Sequence, residues 1–210
     1  MPTKAELEHQ LRRAERALAQ ALLDLRELPS TSAEHITPPA RPMVMEALER
    51  AEQEWERVVI DPCNRVNSYI QSRDGIGWTW EEPYVRNGQF AWCGAFAAFV
   101  HHTVKFPIRH KIFPSCYRLY QAWANTSRKI AADEMRAGDI VVVFTSKRSV
   151  QGDHITIATS SLIDGEFSTI EGNAHGTLGN NEYGEGVVKN NRSLDQVAHV
   201  YRLLDEDYDE

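Results

Sequence analysis

The sequence predicts an α+β domain in which helices come first and an antiparallel sheet follows. Helical patterns are confined to residues before 132, strand patterns lie between 140 and 203, and Asp164-Gly165 joins two strand patterns as a hairpin turn. With 210 residues, of which 42% are hydrophobic and 25% charged, the chain can form one globular domain and an appendage.

The appendage is the N-terminal segment. From Leu7 to Leu28, leucines and alanines recur at alternate spacings of four and three residues. This a/d pattern predicts a long amphipathic helix, 1–28, which either folds back on the domain or forms a coiled coil with a copy of itself or with a protein partner. Residues 29–42 contain four prolines and no periodicity, which indicates a linker.

Residues 43–204 have a globular composition and predict the elements of the domain in order. A helix over 43–60 leads in, a second begins near Cys93 in the run CGAFAAFVHHTV, and a third covers about 115–131. Five stretches rich in β-branched and apolar residues then predict strands, at 140–144, 155–163, 166–171, 186–192 and 197–203.

The formal net charge of −7 is concentrated at the C-terminus, where five of the last six residues are acidic. This run predicts a solvated acidic tail, 205–210, and removing its five charges from −7 leaves −2 for everything else. A near-neutral body has no basic surface for nucleic acid, so no nucleic-acid partner is predicted. No apolar run approaches the roughly 20 residues that span a bilayer, so no membrane span is predicted.

Cys63, Cys93 and Cys116 are the three cysteines, and at least one of them is a free thiol. They form no CxxC pair and no Cys/His group with zinc-ligand spacing, so the sequence predicts neither a disulfide framework nor a metal ion or other cofactor. Cys93 is the candidate nucleophile, because the pKa of a thiol at a helix N-terminus can be lowered into the reactive range. The unpaired backbone N–H groups there can hold an oxyanion. On this segment alone, a buried structural cysteine is the alternative.

A histidine and two polar residues are candidates to complete the site. His154 begins a strand beside a polar loop, where it can be half exposed and act as a base. If Asp164-Gly165 forms a two-residue turn, the numbers of any two residues that pair across the flanking strands add to 329. Asn173 then lies diagonal to His154, within side-chain reach. Glu171 shares that face, but it needs a bulge or a longer turn to contact the ring.

Four motifs in order along the chain resemble the CHAP family of cysteine, histidine-dependent amidohydrolases and peptidases: WCGAF, GDIVVVF, HITI and IEGN. The resemblance covers about residues 60–204, and it implies a papain-like fold and the cleavage of amide bonds in peptidoglycan. It implies Cys93 as nucleophile, His154 as general base and Glu171 as the usual orienting group, with Asn173 assisting. Because the register favours Asn173 and the resemblance favours Glu171, both are candidates, with Glu171 slightly ahead.

The resemblance also bears on the oxyanion hole and on metal binding. The backbone N–H of the nucleophile and one side-chain donor, for which Gln89 is the candidate, would hold the oxyanion. Asp153 and Thr156 stand where the family commonly has glycine, which bears on the fit of the substrate. Some members carry an aspartate-rich calcium loop before the cysteine, and only Asp74-Gly75 matches it here, so no metal is predicted.

The sequence therefore predicts a peptidoglycan hydrolase that acts as a phage lysin or an exported toxin. Its first twenty residues lack the apolar core of a secretory signal. We therefore expect synthesis in the cytoplasm without a signal peptide, and action on the cell wall after lysis-type release or specialised secretion. The alternatives are a papain-like cysteine protease or amidase of a cytosolic protein or small amide, and an inactive adaptor that binds through the N-terminal helix.

Overall fold

Helices and strands occupy separate parts of the chain. The computed structural model describes residues 42–56, 62–71, 91–102, 104–105, 108, 111–145, 150–174, 178–179 and 186–208. All of them belong to one compact unit, Arg41–Glu210. The predicted helix 1–28 and the linker as far as residue 41 lie outside the described residues, and so does Gln89.

Among the described residues, four α-helices precede all the strands: α1 (Pro42–Glu56), α2 (Pro62–Gln71), α3 (Cys93–Val100) and α4 (Cys116–Trp123). As the sequence predicts, one helix begins close to residue 43 and another begins at Cys93. All eight residues of α3 are buried, which is the pattern of a helix covered on every side. In the described part of the chain, no helix is both long and apolar enough to cross a membrane.

Within the described ranges, seven strands form one sheet: β1 (Lys129–Ile130), β2 (Ile140–Val143), β3 (His154–Ala158), β4 (Glu166–Ala174), β5 (Leu178–Gly179), β6 (Gly186–Ser193) and β7 (Val197–Tyr201). Their order across the sheet is β1-β7-β2-β3-β4-β6-β5, and every neighbouring pair is antiparallel. Helices followed by an antiparallel sheet confirm the predicted α+β class.

The predicted helix over 115–131 is wrong in its second half. The N-terminus of α4 is capped by Ser115, whose hydroxyl accepts a hydrogen bond from the backbone N–H of Arg118. The helix ends at Trp123, and the hydroxyl of Thr126 donates to the carbonyl of Trp123. Such a local bond competes with continuation of the helix. The next residues form β1, which pairs with β7 at the edge of the sheet.

The sheet is buried on both faces. On one face, Ile155, Ile157 and Ile170 pack in the core that contains α3. On the other face, a smaller cluster contains Val143 and Ala158. His154 pairs directly with Val143, and directly paired residues share a face, so His154 lies on the face of the smaller cluster, at the end of β3. The predicted alternation along β3 is confirmed.

The predicted register between β3 and β4 is wrong by two residues. The turn is as predicted, since Ile163 pairs with Glu166 and both central residues have positive φ. Beyond the turn, Ile157 pairs with Ile170, so paired positions sum to 327. Before the turn, four residues that follow β3 lie opposite only two residues of β4. The hydroxyl of Ser160, one of these four residues, accepts a hydrogen bond from the backbone of β4. The longer connection moves Glu171 toward His154.

The C-terminal residues correct the prediction of a solvated acidic tail. Asp205–Asp207 form a 3-10 helix, and the side chain of Asp207 is buried. Its carboxylate accepts hydrogen bonds from the guanidinium of Arg128 and from the backbone N–H of Leu204. A carboxylate can be buried in this way when a counter-charge and hydrogen bonds replace its hydration. Tyr208 is also buried and forms a β-bridge with Val104.

Replacing Asp207 by Asn should lower the free energy of unfolding by about 3 kcal/mol, because the guanidinium of Arg128 loses a buried counter-charge. The matched control is Glu206→Gln. Glu206 contacts the same guanidinium at 3.2 Å, but its side chain is 71% exposed, so the loss should stay below about 0.5 kcal/mol. Urea unfolding followed by circular dichroism measures both. Equal losses would show that Asp207 is not the anchor of the C-terminus.

Candidate active site

Cys93 is the first residue of α3, with its side chain largely buried at the helix N-terminus. Two neighbours fix this position. The ring of Trp92 stacks on that of Tyr69 at a centroid distance of 5.8 Å. A Cβ atom at Gly94 would lie 1.7 Å from the carbonyl oxygen of Phe113, so only glycine permits this close approach of the helix to the segment before α4.

The structure brings Cys93, His154 and Glu171 together in one row. His154 Nε2 lies 3.2 Å from Glu171 Oε2, and the ring also hydrogen-bonds to the thiol of Cys93. Because Nε2 contacts the carboxylate, Nδ1 is the ring nitrogen left to face the sulfur. His154 is 6% exposed, which corrects the expectation of a half-exposed base. Its position at the first residue of β3 places it beside the N-terminus of α3.

Glu171 is fully buried, yet both of its carboxylate oxygens have partners. Oε1 accepts from Arg192 Nε at 2.8 Å and from the hydroxyl of Thr169. Oε2 accepts from Arg192 Nη2 at 2.6 Å and from Asn190 Nδ2 at 3.1 Å, in addition to its contact with His154. Burial alone would raise the pKa of this carboxyl, but the hydrogen bonds with His154 and Arg192 outweigh it and hold the pKa well below its ordinary value.

The thiol and the imidazole shift each other's pKa toward the charged forms. Burial opposes the charged form of each group, but their mutual hydrogen bond outweighs it. With the further bond to Glu171, the pKa of His154 is raised to about 9. The pKa of Cys93 is lowered, first by His154 and then by the backbone N–H groups of Ile155 and Gly94, which hydrogen-bond to the sulfur. Both shifts favour the reactive charged forms, thiolate and imidazolium.

Cys116 shows that a position at a helix N-terminus is not enough to activate a thiol. It is the first residue of α4, and it is buried. Burial, and then the nearby Cys93, raise the pKa of Cys116 to about 12. Within the part of the chain that the structure describes, no imidazole lowers the pKa of Cys116 as His154 lowers that of Cys93, so Cys116 stays a neutral packed thiol. The side chain of Cys63 lies outside the described residues.

Asn173 does not take the position of the orienting group. Asn173 has φ of 61° and lies in an irregularity between Glu171 and Ala174, where the register of β4 against β6 shifts. The carboxylate of Glu171, not the amide of Asn173, makes the hydrogen bond to His154. Gln89, the candidate oxyanion donor, lies outside the described residues.

Sequence reasoning missed the partners of Glu171. Thr169 lies two residues before it on β4, and Asn190 and Arg192 lie two residues apart on β6. Their register places all four side chains on one face, since Thr169 pairs with Asn190 and Phe167 pairs with Arg192. The sequence carries two signals, the alternation of polar residues on two late strands and the resemblance of Val187–Arg192 to a late CHAP strand that ends in a basic residue. Neither identifies the partners of Glu171 without the pairing of those strands.

Asp153 and Thr156, the two departures from the CHAP pattern, both have structural partners. The carboxylate of Asp153 accepts from the backbone N–H and the hydroxyl of Thr145, at 2.7 and 3.0 Å, which closes the loop before His154. The hydroxyl of Thr156 donates to the carbonyl of Val141 at 3.1 Å. Among the described residues, no three His, Cys, Asp or Glu side chains are grouped so that they could hold a metal ion.

Comparisons of the chain with protein-family models, with curated proteins and with solved structures gave no match. The side chains that bear on function are a buried thiol with a lowered pKa, an imidazole with a raised pKa beside it and a carboxylate that is held by an arginine.

Iodoacetamide at pH 7 should modify Cys93 at least about 100-fold faster than Cys116, because only the thiolate form reacts. His154→Ala should remove this preference, since the imidazolium is the main cause of the lowered thiol pKa. Limited alkylation followed by peptide mass spectrometry measures all three thiols, with Cys63 included. Equal labelling of the three, or fastest labelling of Cys116, would contradict the assignment.

Proposed function

We propose that this chain is a cysteine amidohydrolase that cleaves amide bonds in the peptides of peptidoglycan. The observation that carries the proposal is the hydrogen-bonded row of Cys93, His154 and Glu171, in which the thiolate is favoured. This row suits acyl transfer, because nucleophile, acid–base group and orienting group contact one another in the order in which the reaction uses them.

A papain-like fold and membership of the CHAP family are parts of the same proposal. In support, the nucleophile begins a buried helix, and that helix packs against an antiparallel sheet that carries the histidine and the carboxylate. The motifs WCGAF, HITI and IEGN fall on α3, β3 and β4 in the order of the resemblance. The choice of peptidoglycan rests on that resemblance, as does the action at the wall of a lysin or exported toxin.

In the first half of the proposed reaction, the thiolate of Cys93 attacks the carbonyl carbon of the scissile amide. The lowered pKa of Cys93 and the raised pKa of His154 favour transfer of the thiol proton to the ring before attack. Backbone N–H groups at the N-terminus of α3 are the donors nearest to the developing oxyanion. The imidazolium then gives its proton to the leaving nitrogen, and the C–N bond breaks to leave a thioester.

In the second half, water replaces the departed amine. His154, now neutral, takes a proton from the water as it attacks the thioester carbonyl. Collapse of the tetrahedral intermediate breaks the C–S bond, releases the carboxylic acid and restores the ion pair. Throughout, Glu171 keeps the ring in one orientation and stabilises its charged form, a role that requires the carboxylate to stay ionised.

Incubation of purified peptidoglycan with the wild type should release muropeptides with new amino and carboxyl ends. Cys93→Ala should lower this release by on the order of 10⁴-fold or more, because it removes the nucleophile. Mass spectrometry of the soluble products measures both, and Cys116→Ala, which should keep activity, is the matched control.

Intact peptidoglycan would contradict the substrate. If the wild type then cleaved casein or a small amide in a Cys93-dependent way, the alternative substrate class would replace it. Rapid alkylation of Cys93 without hydrolysis of any of these substrates would favour the inactive adaptor.

The pH dependence of turnover should show a loss of activity above about pH 9. The pKa of His154 is raised in the folded protein, so the imidazolium is present below that value and is lost as the pH rises through it. Glu171→Gln removes the carboxylate that helps to raise this pKa, so the alkaline limb should move to lower pH and turnover should fall. Asn173→Ala should have the smaller effect on both. An unchanged limb in Glu171→Gln would show that Glu171 does not act on the ring.

A further inference from the structure

Four ionisable groups form the buried centre of this site, and their charges add to zero. They are the thiolate of Cys93, the imidazolium of His154, the carboxylate of Glu171 and the guanidinium of Arg192. The last two form an ion pair at 2.6 Å, with the side chain of Glu171 fully buried and that of Arg192 only 13% exposed. The first three groups have roles in the proposed reaction, and Arg192 has none there.

The contact of Arg192 with Glu171 restrains the carboxylate in two directions. Nε binds one oxygen at 2.8 Å and Nη2 binds the other at 2.6 Å, so the carboxylate cannot rotate without breaking a bond. The oxygen that receives Nη2 is the one that contacts His154. Asn190 also donates to this oxygen, at 3.1 Å. Residues of β6 therefore fix the position of the carboxylate oxygen that the ring of His154 contacts.

We infer that Arg192 is a positioning residue of the candidate active site: it fixes Glu171, which in turn fixes His154, and its charge completes the neutral set of four buried groups. This inference rests on the proposed function for its catalytic meaning. Its electrostatic part concerns the resting protein and does not depend on the substrate.

The sign of the charge that is removed sets the direction of each change in the pKa of Cys93. Removing a positive charge from a buried cluster makes each protonation in the cluster easier, so the thiol should ionise only at higher pH. Removing the negative charge of Glu171 acts in the opposite direction. At an effective dielectric constant near 20, one charge at about 10 Å changes a pKa by roughly one unit. Loss of both charges together should therefore nearly cancel.

Other titratable groups on the surrounding elements do not replace Arg192. On β6, Lys189 lies on the opposite face, where it contacts Glu52 of α1 at 2.6 Å. On the loop before β3, Asp153 accepts hydrogen bonds from Thr145. On β4, Glu166 lies at the far end of the strand, paired with Ser193. On α4, Cys116 stays a neutral thiol because its pKa is about 12.

The chain contains a matched control pair. Arg202 contacts Asp139 with the same two-bond geometry, Nε at 3.0 Å and Nη2 at 2.7 Å, and the exposure of the two side chains is close to that of Arg192 and Glu171. Asp139 precedes Ile140, the end of β2 that lies away from the residue paired with His154. Loss of Arg202 therefore removes a comparable buried ion pair outside the candidate active site.

The test is the pH at which the rate of Cys93 alkylation by iodoacetamide reaches half of its plateau. Arg192→Gln should raise this midpoint by about 0.5–1 pH unit, and Glu171→Gln should lower it. The double variant should return close to the wild type, and Arg192→Lys, which keeps the charge, should leave the midpoint in place. Arg202→Gln should reduce thermal stability without moving the midpoint.

Two outcomes would overturn the inference: Arg192→Gln and Arg202→Gln shifting the midpoint equally, or Arg192→Lys shifting it as much as Arg192→Gln. If Arg192→Gln does not fold, the double variant and Arg192→Lys still decide between charge and mere packing. On a substrate that the wild type hydrolyses, Arg192→Lys should lower kcat about tenfold with KM little changed, because the carboxylate loses one of its two fixed bonds. Failure to hydrolyse peptidoglycan leaves the alkylation result intact, so the two proposals can fail separately.

Discussion

The burial of one carboxylate is the constraint on which the candidate site depends. Glu171 has no contact with solvent, so an ionised carboxylate there needs partners for both oxygens. Arg192, Asn190 and Thr169 supply four hydrogen bonds from two paired strands, and the ring of His154 makes the fifth contact. Once the carboxylate is ionised, the imidazolium is favoured, and the imidazolium in turn favours the thiolate of Cys93.

The fold brings these groups together from three separate elements. The helix α3 carries the thiol at its first residue, where backbone N–H groups are unpaired, and Gly94 lets that end approach the rest of the domain closely. β3 carries His154 at its first residue, and the connection after β3 sets how far β4 is displaced along it. A displacement of two residues brings Glu171 within reach of His154, and the irregularity at Asn173, whose φ is positive, takes that residue out of the regular alternation.

Much of the framework could be predicted from local patterns. The helix at Cys93, five of the strands and the Asp164-Gly165 turn depend on residue spacing and turn chemistry within a few positions, so they are visible in the sequence. The helix over 115–131 was predicted too long because pairing with β7 competes for residues 129–130. The acidic tail was predicted as solvated because its partner, Arg128, is distant in the chain.

The sequence by itself determined the α+β class, the start of the nucleophile helix and the set of polar residues that face His154. Only the tertiary structure decided that Glu171, rather than Asn173, contacts the ring, and that Arg192 holds the carboxylate. The physical reason is that these contacts depend on strand register and on charges separated by about twenty residues or more. Periodicity identifies which face a side chain occupies, but it does not identify what lies opposite.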